Sequence, residues 1–212
     1  MEEHPIKKPI VFRYLCQKYI DDFFQSGRLR LSAFSEFAKH TDEQRLDTKE
    51  GWAIVEIRGE KQALRSSAGM GLDTYILSAS LRGDAELMNT FGTDGYFKIK
   101  DVKGFTVAVA ARLADFVEGL SGPCIYRDRR EIIKTIGAEL DIAVEKNEQG
   151  KMNLTRVTSL IRRALWPEAY FMKLKHYAPQ QEYRFVWHVG QEVHEPLIIE
   201  CPEALQFCER IT

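Results

Sequence analysis

The sequence predicts an α+β fold with mixed or antiparallel sheets. Three observations carry that expectation. Segments with strand character lie toward both ends, segments with helical periodicity gather in the middle, and strict β-α-β alternation is absent. A doubly wound parallel sheet does not fit such an order. The 212 residues contain no internal repeat, Pro-rich linker or low-complexity run, so residues 1–212 read as one domain. A chain of this length buries roughly 70% of its unfolded surface and needs no disulfide scaffold.

The elements follow in order. Pro9–Arg13 is a short apolar run rich in β-branched and aromatic residues, hence a strand. Tyr14–Gln25 carries Leu15, Tyr19, Ile20, Phe23 and Phe24 at helical spacing, and Gly27 stands where a C-terminal cap belongs. Leu29–Leu31 alternates like a half-exposed strand, and Ser32–Ala38 reads as a short helix. Lys39–Gly51 and Glu145–Lys151 are polar loops. Trp52–Ile57, Thr74–Ser80 and Tyr96–Ile99 read as strands, with one or two helical turns at Asp84–Thr90. Phe105–Val117, Arg130–Val144 and Leu154–Leu165 are predicted helices, with a short strand ending at Ile125-Tyr126. Ala169–Lys175, Tyr183–Val189 and Leu197–Glu200 are predicted strands, and Pro202–Cys208 a last helical turn or two.

Composition narrows the function classes. Thirty basic residues against 31 acidic give a net charge of −1, so bulk attraction to nucleic acid or to an anionic membrane is not implied. No run of apolar residues approaches the length of a membrane span, and the start of the chain lacks the apolar core of a signal peptide. Cys16, Cys124, Cys201 and Cys208 are scattered without a C-x-x-C pair, which fits a reducing cytoplasm. Five scattered histidines show no ligand spacing, and no metal site is expected. Ser66–Gly71 is Gly-rich but matches neither nucleotide-binding glycine motif and reads as a flexible loop. No G-x-S-x-G elbow occurs. Arg127, Arg129 and Arg130, and then Arg156, Arg162 and Arg163, form basic clusters that read first as solvated faces.

Three short pieces carry chemistry in combination. Arg13 follows Phe12 at the end of the first strand, where a planar guanidinium suits a phosphate. Ser78 and Ser80 share one face of the strand that ends in Ser78-Ala79-Ser80, and two such hydroxyls can fix a carboxylate or a ribose. Gln180 and Glu182 precede the apolar strand Tyr183–Val189 and project to one side if that segment is extended. The bland reading of Glu182 is a solvated edge carboxylate paired with Arg184 or Lys173. Asp47 and Glu50 form a further acidic pair, read as a cap or turn feature.

In the order Arg13, Ser78-x-Ser80, Gln180-x-Glu182, these pieces resemble the signature of the arginine–serine–glutamate class of ADP-ribosyltransferases. Here Ser-Ala-Ser replaces the usual Ser-Thr-Ser, and Tyr14 replaces the small residue that often follows the arginine. The resemblance implies a two-sheet ADP-ribosyltransferase-like core with helices inserted in the middle, and NAD as substrate in a cleft between the sheets. It implies that Glu182 stabilises the oxocarbenium character that develops at the ribose, and that Ser78 orients Glu182 or the ribose. Arg13 would bind a phosphate of NAD, with Tyr14 and Ser80 beside it. Gln180 would face the incoming nucleophile, and a glutamine there implies a non-arginine acceptor on a protein or a nucleic-acid base. Phe12-Arg-Tyr-Leu, Arg28–Ser32, Asp47-x-x-Glu50-Gly51, Phe91-Gly92, Phe105 and Lys173-x-x-x-Tyr177 to Arg184 are similar to a large bacterial family of unknown-function domains, some linked with phage defence. That likeness implies a defence or toxin-type effector, for which an inhibitor or antitoxin partner is expected. The alternatives are an NAD glycohydrolase using the same residues and a non-enzymatic module that binds protein or nucleic acid through its arginines.

Overall fold

Residues 9–34 and 51–211 are described by a computed structural model of the chain. The first elements are β1 (Val11–Leu15), α1 (Gln17–Ser26) and β2 (Arg28–Ala33). Then come β3 (Trp52–Arg58), β4 (Ala63–Gly69), β5 (Thr74–Ser80), α2 (Ala85–Thr90), β6 (Gly95–Ile99) and α3 (Val102–Ala110). The middle holds β7 (Phe116–Pro123), β8 (Ile125–Arg127), β9 (Glu131–Thr135), α4 (Ala138–Val144) and α5 (Leu154–Leu165). The last part holds α6 (Glu168–Phe171), β10 (Met172–Leu174), β11 (Glu182–Val189), β12 (Leu197–Glu200) and β13 (Cys208–Arg210). Two 3-10 turns, Lys175–Gln180 and Pro202–Phe207, lead into β11 and β13.

The class is α+β with antiparallel and mixed sheets. The largest sheet runs β12-β2-β5-β1-β6-β13, and β11 takes the other edge of β5 with β7 beyond it. Every pairing in that sheet is antiparallel. A second sheet, β4-β3-β9, is mixed, because β9 pairs parallel to β3. Strands β8 and β10 form a short parallel pair.

Local sequence explains the better-formed elements. Helix α1 buries Ile20 and Phe23 and stops at Gly27, whose φ of 76° is left-handed and whose N–H donates to the Phe23 carbonyl at 2.7 Å. Asn153 caps α5 by accepting from the Arg156 N–H at 3.1 Å, and Val157, Leu160, Ala164 and Leu165 form its buried stripe. Two main cores result. One packs Phe23, Phe97, Phe105, Phe185 and Trp187 behind the large sheet, and the other packs Val55, Ile57, Ile132, Leu140 and Leu160 between the second sheet, α4 and α5. Phe34, Ile76, Tyr170, Phe171 and Val186 form a third cluster.

Several predicted elements need correction. Ser66–Gly69 is not loop but the end of β4, paired along its length with β3. The helix predicted over Phe105–Val117 ends at Ala110, and Phe116 and Val117 start β7. Arg130–Val144 divides into β9 and α4 at Gly137, since the β-branched run Ile132-Ile133 pairs with β3. Ala169–Phe171 is helical, and only Met172–Leu174 is strand. The start of β7 and all of β9 therefore occupy positions that the sequence assigns to helices, while β8 stands where the short strand at Ile125-Tyr126 is expected. Of the helix predicted at Ser32–Ala38, Ser32 and Ala33 belong to β2, and residues 35–38 lie outside the described residues. The 39–50 loop, with Asp47 and Glu50, lies outside them as well.

One feature of the large sheet positions the candidate site. On the edge of β5 opposite β11, strand β2 pairs only at Tyr75 and Ile76 (partners Ala33 and Ser32). Strand β1 pairs only at Ser80, through Phe12. Between these contacts β1 turns to β6 and β2 turns to β12, and neither ladder covers Leu77, Ser78 and Ala79. The sheet forks there.

Candidate active site

The fork opens into a cavity of about 240 Å³. Its wall takes Arg13 from β1, Arg30 and Ser32 from β2, and Leu77, Ser78 and Ala79 from β5. Lys173, Gln180 and Glu182 close one side, and Cys16, Tyr19, Phe91 and Thr93 line the rest.

Backbone polar groups at a fork lose their ladder partners and need others. The Ser78 carbonyl receives Arg13 Nη1 at 2.5 Å, so a side chain from β1 spans the gap that its backbone leaves. The Ser78 hydroxyl points across β5 to β11 and donates to Glu182 Oε1 at 2.8 Å. Alternation places Glu182, Arg184, Val186 and His188 on one face of β11. Arg184 is fully buried, and its Nε donates to the same Glu182 Oε1 at 2.7 Å while Nη1 donates to the Tyr170 carbonyl at 2.6 Å. The other carboxylate oxygen, Oε2, receives Lys173 Nζ at 2.5 Å. Glu182 itself is 6% exposed, so this is a buried carboxylate between two cations. Its backbone is fixed too, since its N–H donates to Tyr126 Oη at 2.7 Å and its carbonyl accepts from the Cys124 N–H at 2.8 Å.

Burial alone pushes the Glu182 carboxyl upward. The charges of Arg184 and Lys173 and their hydrogen bonds outweigh it and hold the group well below the usual carboxylate range. Glu182 is therefore an anion throughout the neutral range. Burial also acts on Arg130, which stands behind Arg184, and with the Arg184 charge brings it down to about 10.

The remaining predicted residues separate. Gln180 lines the cavity and is buried, but not through an extended segment. It ends the 3-10 turn Lys175–Gln180, and Gln181 follows at φ 42°. Its amide oxygen accepts from Lys173 Nζ at 3.2 Å. Tyr14 contributes to the wall, but its hydroxyl turns into the Arg82–Asp84 turn, donating to the Arg82 carbonyl at 2.9 Å and accepting from the Asp84 N–H at 3.0 Å. Ser80 needs correction. It is 1% exposed and absent from the cavity wall, because its hydroxyl donates to the Gln180 carbonyl at 2.7 Å and accepts from the Arg82 N–H at 2.9 Å. Alternation on β5 is obeyed, but Ser78 lies at the fork, whereas the Ser80 hydroxyl is taken up by the backbone at Gln180 and Arg82.

The bland reading of Glu182 names the right partners and the wrong environment. It pairs with both Arg184 and Lys173, in the interior rather than at a solvated edge. Sequence reasoning missed Arg30, Tyr19 and Phe91 as wall residues, and only the alternation of Arg30 with buried Leu29 and Leu31 hinted at it. Each arginine cluster is engaged in part within the chain: Arg127 pairs with Glu168, Arg163 with Glu139, and Arg130 Nη1 donates to the Met172 carbonyl at 3.2 Å. Among the described residues, no group of histidine, cysteine and acidic side chains is placed to hold a metal ion, and no helix is long and apolar enough to cross a membrane. No family model, curated protein or solved structure matches the chain.

Proposed function

We propose that the chain is an NAD-consuming enzyme of the ADP-ribosyltransferase type, acting at the forked-sheet cavity. The observation that carries this reading is the meeting of Arg13, Ser78, Gln180 and Glu182 around one cavity, with the Ser78 hydroxyl bonded to the Glu182 carboxylate. Three cationic side chains in the wall (Arg13, Arg30 and Lys173) suit a phosphate-bearing ligand. The cavity volume, about 240 Å³, is below the ~300–1,000 Å³ of common ligand sites, so it suits the nicotinamide–ribose half of a dinucleotide better than the whole. In this reading the bond between the ribose anomeric carbon and nicotinamide breaks, and its electron pair leaves with the nicotinamide nitrogen. The oxocarbenium centre forms beside the Glu182 anion, a preorganised charge of the kind worth about 10²–10³ in rate. A nucleophile then bonds to the anomeric carbon and releases its proton to solvent. Gln180 beside the carboxylate favours an acceptor other than arginine, on a protein or a nucleic-acid base, and water as acceptor gives a glycohydrolase.

The purified chain incubated with NAD, with and without cell extract, is expected to release nicotinamide, and Glu182→Ala is expected to stop it. Ser78→Ala, which leaves the ion pairs in place, is expected to slow it. ADP-ribose recovered on macromolecules marks a transferase, and free ADP-ribose marks a hydrolase. Absence of nicotinamide release, or an active Glu182→Ala protein, overturns the reading.

A second reading has its own observation. Glu182 is matched by Lys173 and Arg184, and the same wall carries Arg13 and Arg30. A module that binds a nucleotide or another phosphate ligand without cleaving it fits that set of side chains. Calorimetry showing NAD binding without nicotinamide release selects it.

A further inference from the structure

Glu182 is held by a strand, but Gln180 is not. Gln180 ends a 3-10 turn, and Gln181 takes a left-handed φ of 42° before β11 begins. The strand's alternation therefore does not fix the direction of the Gln180 side chain relative to Glu182. One group touches both. Lys173, on β10, is 6% exposed and lies in the cavity wall, with Nζ 3.2 Å from Gln180 Oε1 and 2.5 Å from Glu182 Oε2. The Tyr177 ring supports the ammonium from the same turn, 4.6 Å away. An ammonium only donates, so the Gln180 amide presents its oxygen to Lys173.

Charge compensation does not require this lysine. Arg184 already pairs with Glu182, and burying a second cation carries a desolvation penalty of its own. We propose that Lys173 is a positioning residue of this site: its ammonium ties the Gln180 amide to the Glu182 carboxylate and fixes how both face the cavity. The kinetic consequence rests on the NAD-cleaving reading, whereas the geometric one does not. Besides Lys173, the groups facing the carboxylate are Arg184 on its own strand, Ser78 from β5, Gln180 from the turn and Tyr126 from β8 at its backbone. Arg13 bonds the Ser78 carbonyl, and the charges of Arg130 and Arg184 act on each other. Removing Lys173 leaves one cation against the burial of Glu182.

The test uses the full chain as wild type, Lys173→Met and Lys173→Arg, with Glu side-chain carboxyls labelled with ¹³C and the Glu182 resonance assigned through Glu182→Gln. In Lys173→Met, the Glu182 titration midpoint is expected to rise by more than about one pH unit, and in Lys173→Arg by less, since the charge is kept. With NAD as substrate, Lys173→Met is expected to lose about ten- to a hundredfold in kcat with little change in KM, the signature of a displaced reacting group. Lys173→Arg is expected to recover part of that loss. If Lys173→Met does not fold, Lys173→Gln, which keeps a donor of similar reach without the charge, is expected to show the same shift. A neutral variant whose Glu182 titration and kcat both match wild type overturns the proposal. A wild-type chain that releases no nicotinamide removes the NAD-cleaving reading, and the titration then decides the role of Lys173 alone.

Discussion

Arg13 Nη1 donates to the Ser78 carbonyl at 2.5 Å, across the point where β1 and β5 part. One guanidinium thus gives the Ser78 carbonyl at the fork a donor and lines the cavity. Arg13→Ala is expected to lose in both respects. Leaving a half-buried carbonyl without its partner costs about 1–3 kcal/mol, which for a chain of this size lowers Tm by roughly 2–12 °C. In the NAD-consuming reading proposed above, where Arg13 holds a phosphate, the same variant is expected to weaken NAD binding about tenfold or more. Differential scanning calorimetry and isothermal titration read the two effects separately. A variant with unchanged Tm and unchanged NAD affinity contradicts the bridging role.

Glu182→Gln keeps the shape of the side chain and removes the charge between Lys173 and Arg184. Two buried cations are then left without their anion, and breaking a buried pair this way costs about 3–5 kcal/mol. Combining it with Lys173→Met is expected to recover part of the loss, because residues in contact do not add independently. Urea unfolding of the two single variants and the double variant gives the coupling. Additive losses mean that the pair is not coupled.

His188 gives the stability a pH dependence of known sign. It is buried between the rings of Trp166 and Tyr170, each 4.9 Å away, with Nδ1 3.1 Å from Thr74 Oγ1 and 3.7 Å from Asp73 Oδ1. Its Nε2 has no hydrogen-bond partner among the described residues. Burial lowers its pKa, against the opposing charges of Asp73 and Glu118. A lowered folded value means that the unfolded chain binds the proton first. The stabilisation is therefore complete above the ordinary histidine value of 6.5 and lost as pH falls below it. Denaturant midpoints between pH 7.5 and 5 are expected to fall for wild type and to stay flatter for His188→Gln. Equal slopes for the two proteins count against this assignment.

Gly27→Ala tests the corner between α1 and β2. A Cβ there meets the Pro202 nitrogen at 2.3 Å and the Cys201 carbonyl carbon at 2.4 Å, on a backbone already at φ 76°. Both obstacles are main chain and cannot rotate away. The left-handed conformation and the overlap together are expected to cost about 2–4 kcal/mol, seen as a Tm drop of roughly 4–16 °C. A drop smaller than 2 °C means that the two segments can separate.

Much of the sheet was legible because the pattern and the packing agree. Val11, Leu29 with Leu31, Thr74–Ser80 and Tyr183–Val189 all lie in strands near their predicted bounds, and Leu154–Leu165 is helical over its whole predicted span. The failures lie where a tertiary partner overrides local preference. Ile132-Ile133 joins β3, and Phe116-Val117 starts the edge strand beside β11, so neither continues its predicted helix. Arg13, Ser78 and Glu182 were readable as residue types at ordered positions. What the sequence hides is burial: it offers Lys173 and Arg184 as partners of Glu182, but nothing local to Glu182 indicates that the interior closes over all three. Ser80 shows the same limit, since spacing gives its face but not which neighbour covers that face.

All eight residues of β11 are buried, and β5 and β7 hold it from either side. That wall cannot yield without breaking two ladders at once. On the opposite bank β1 and β2 run past the opening, each held there on its outer side only, by β6 and by β12. A molecule in the cleft therefore meets one wall locked from both flanks and one braced from a single flank.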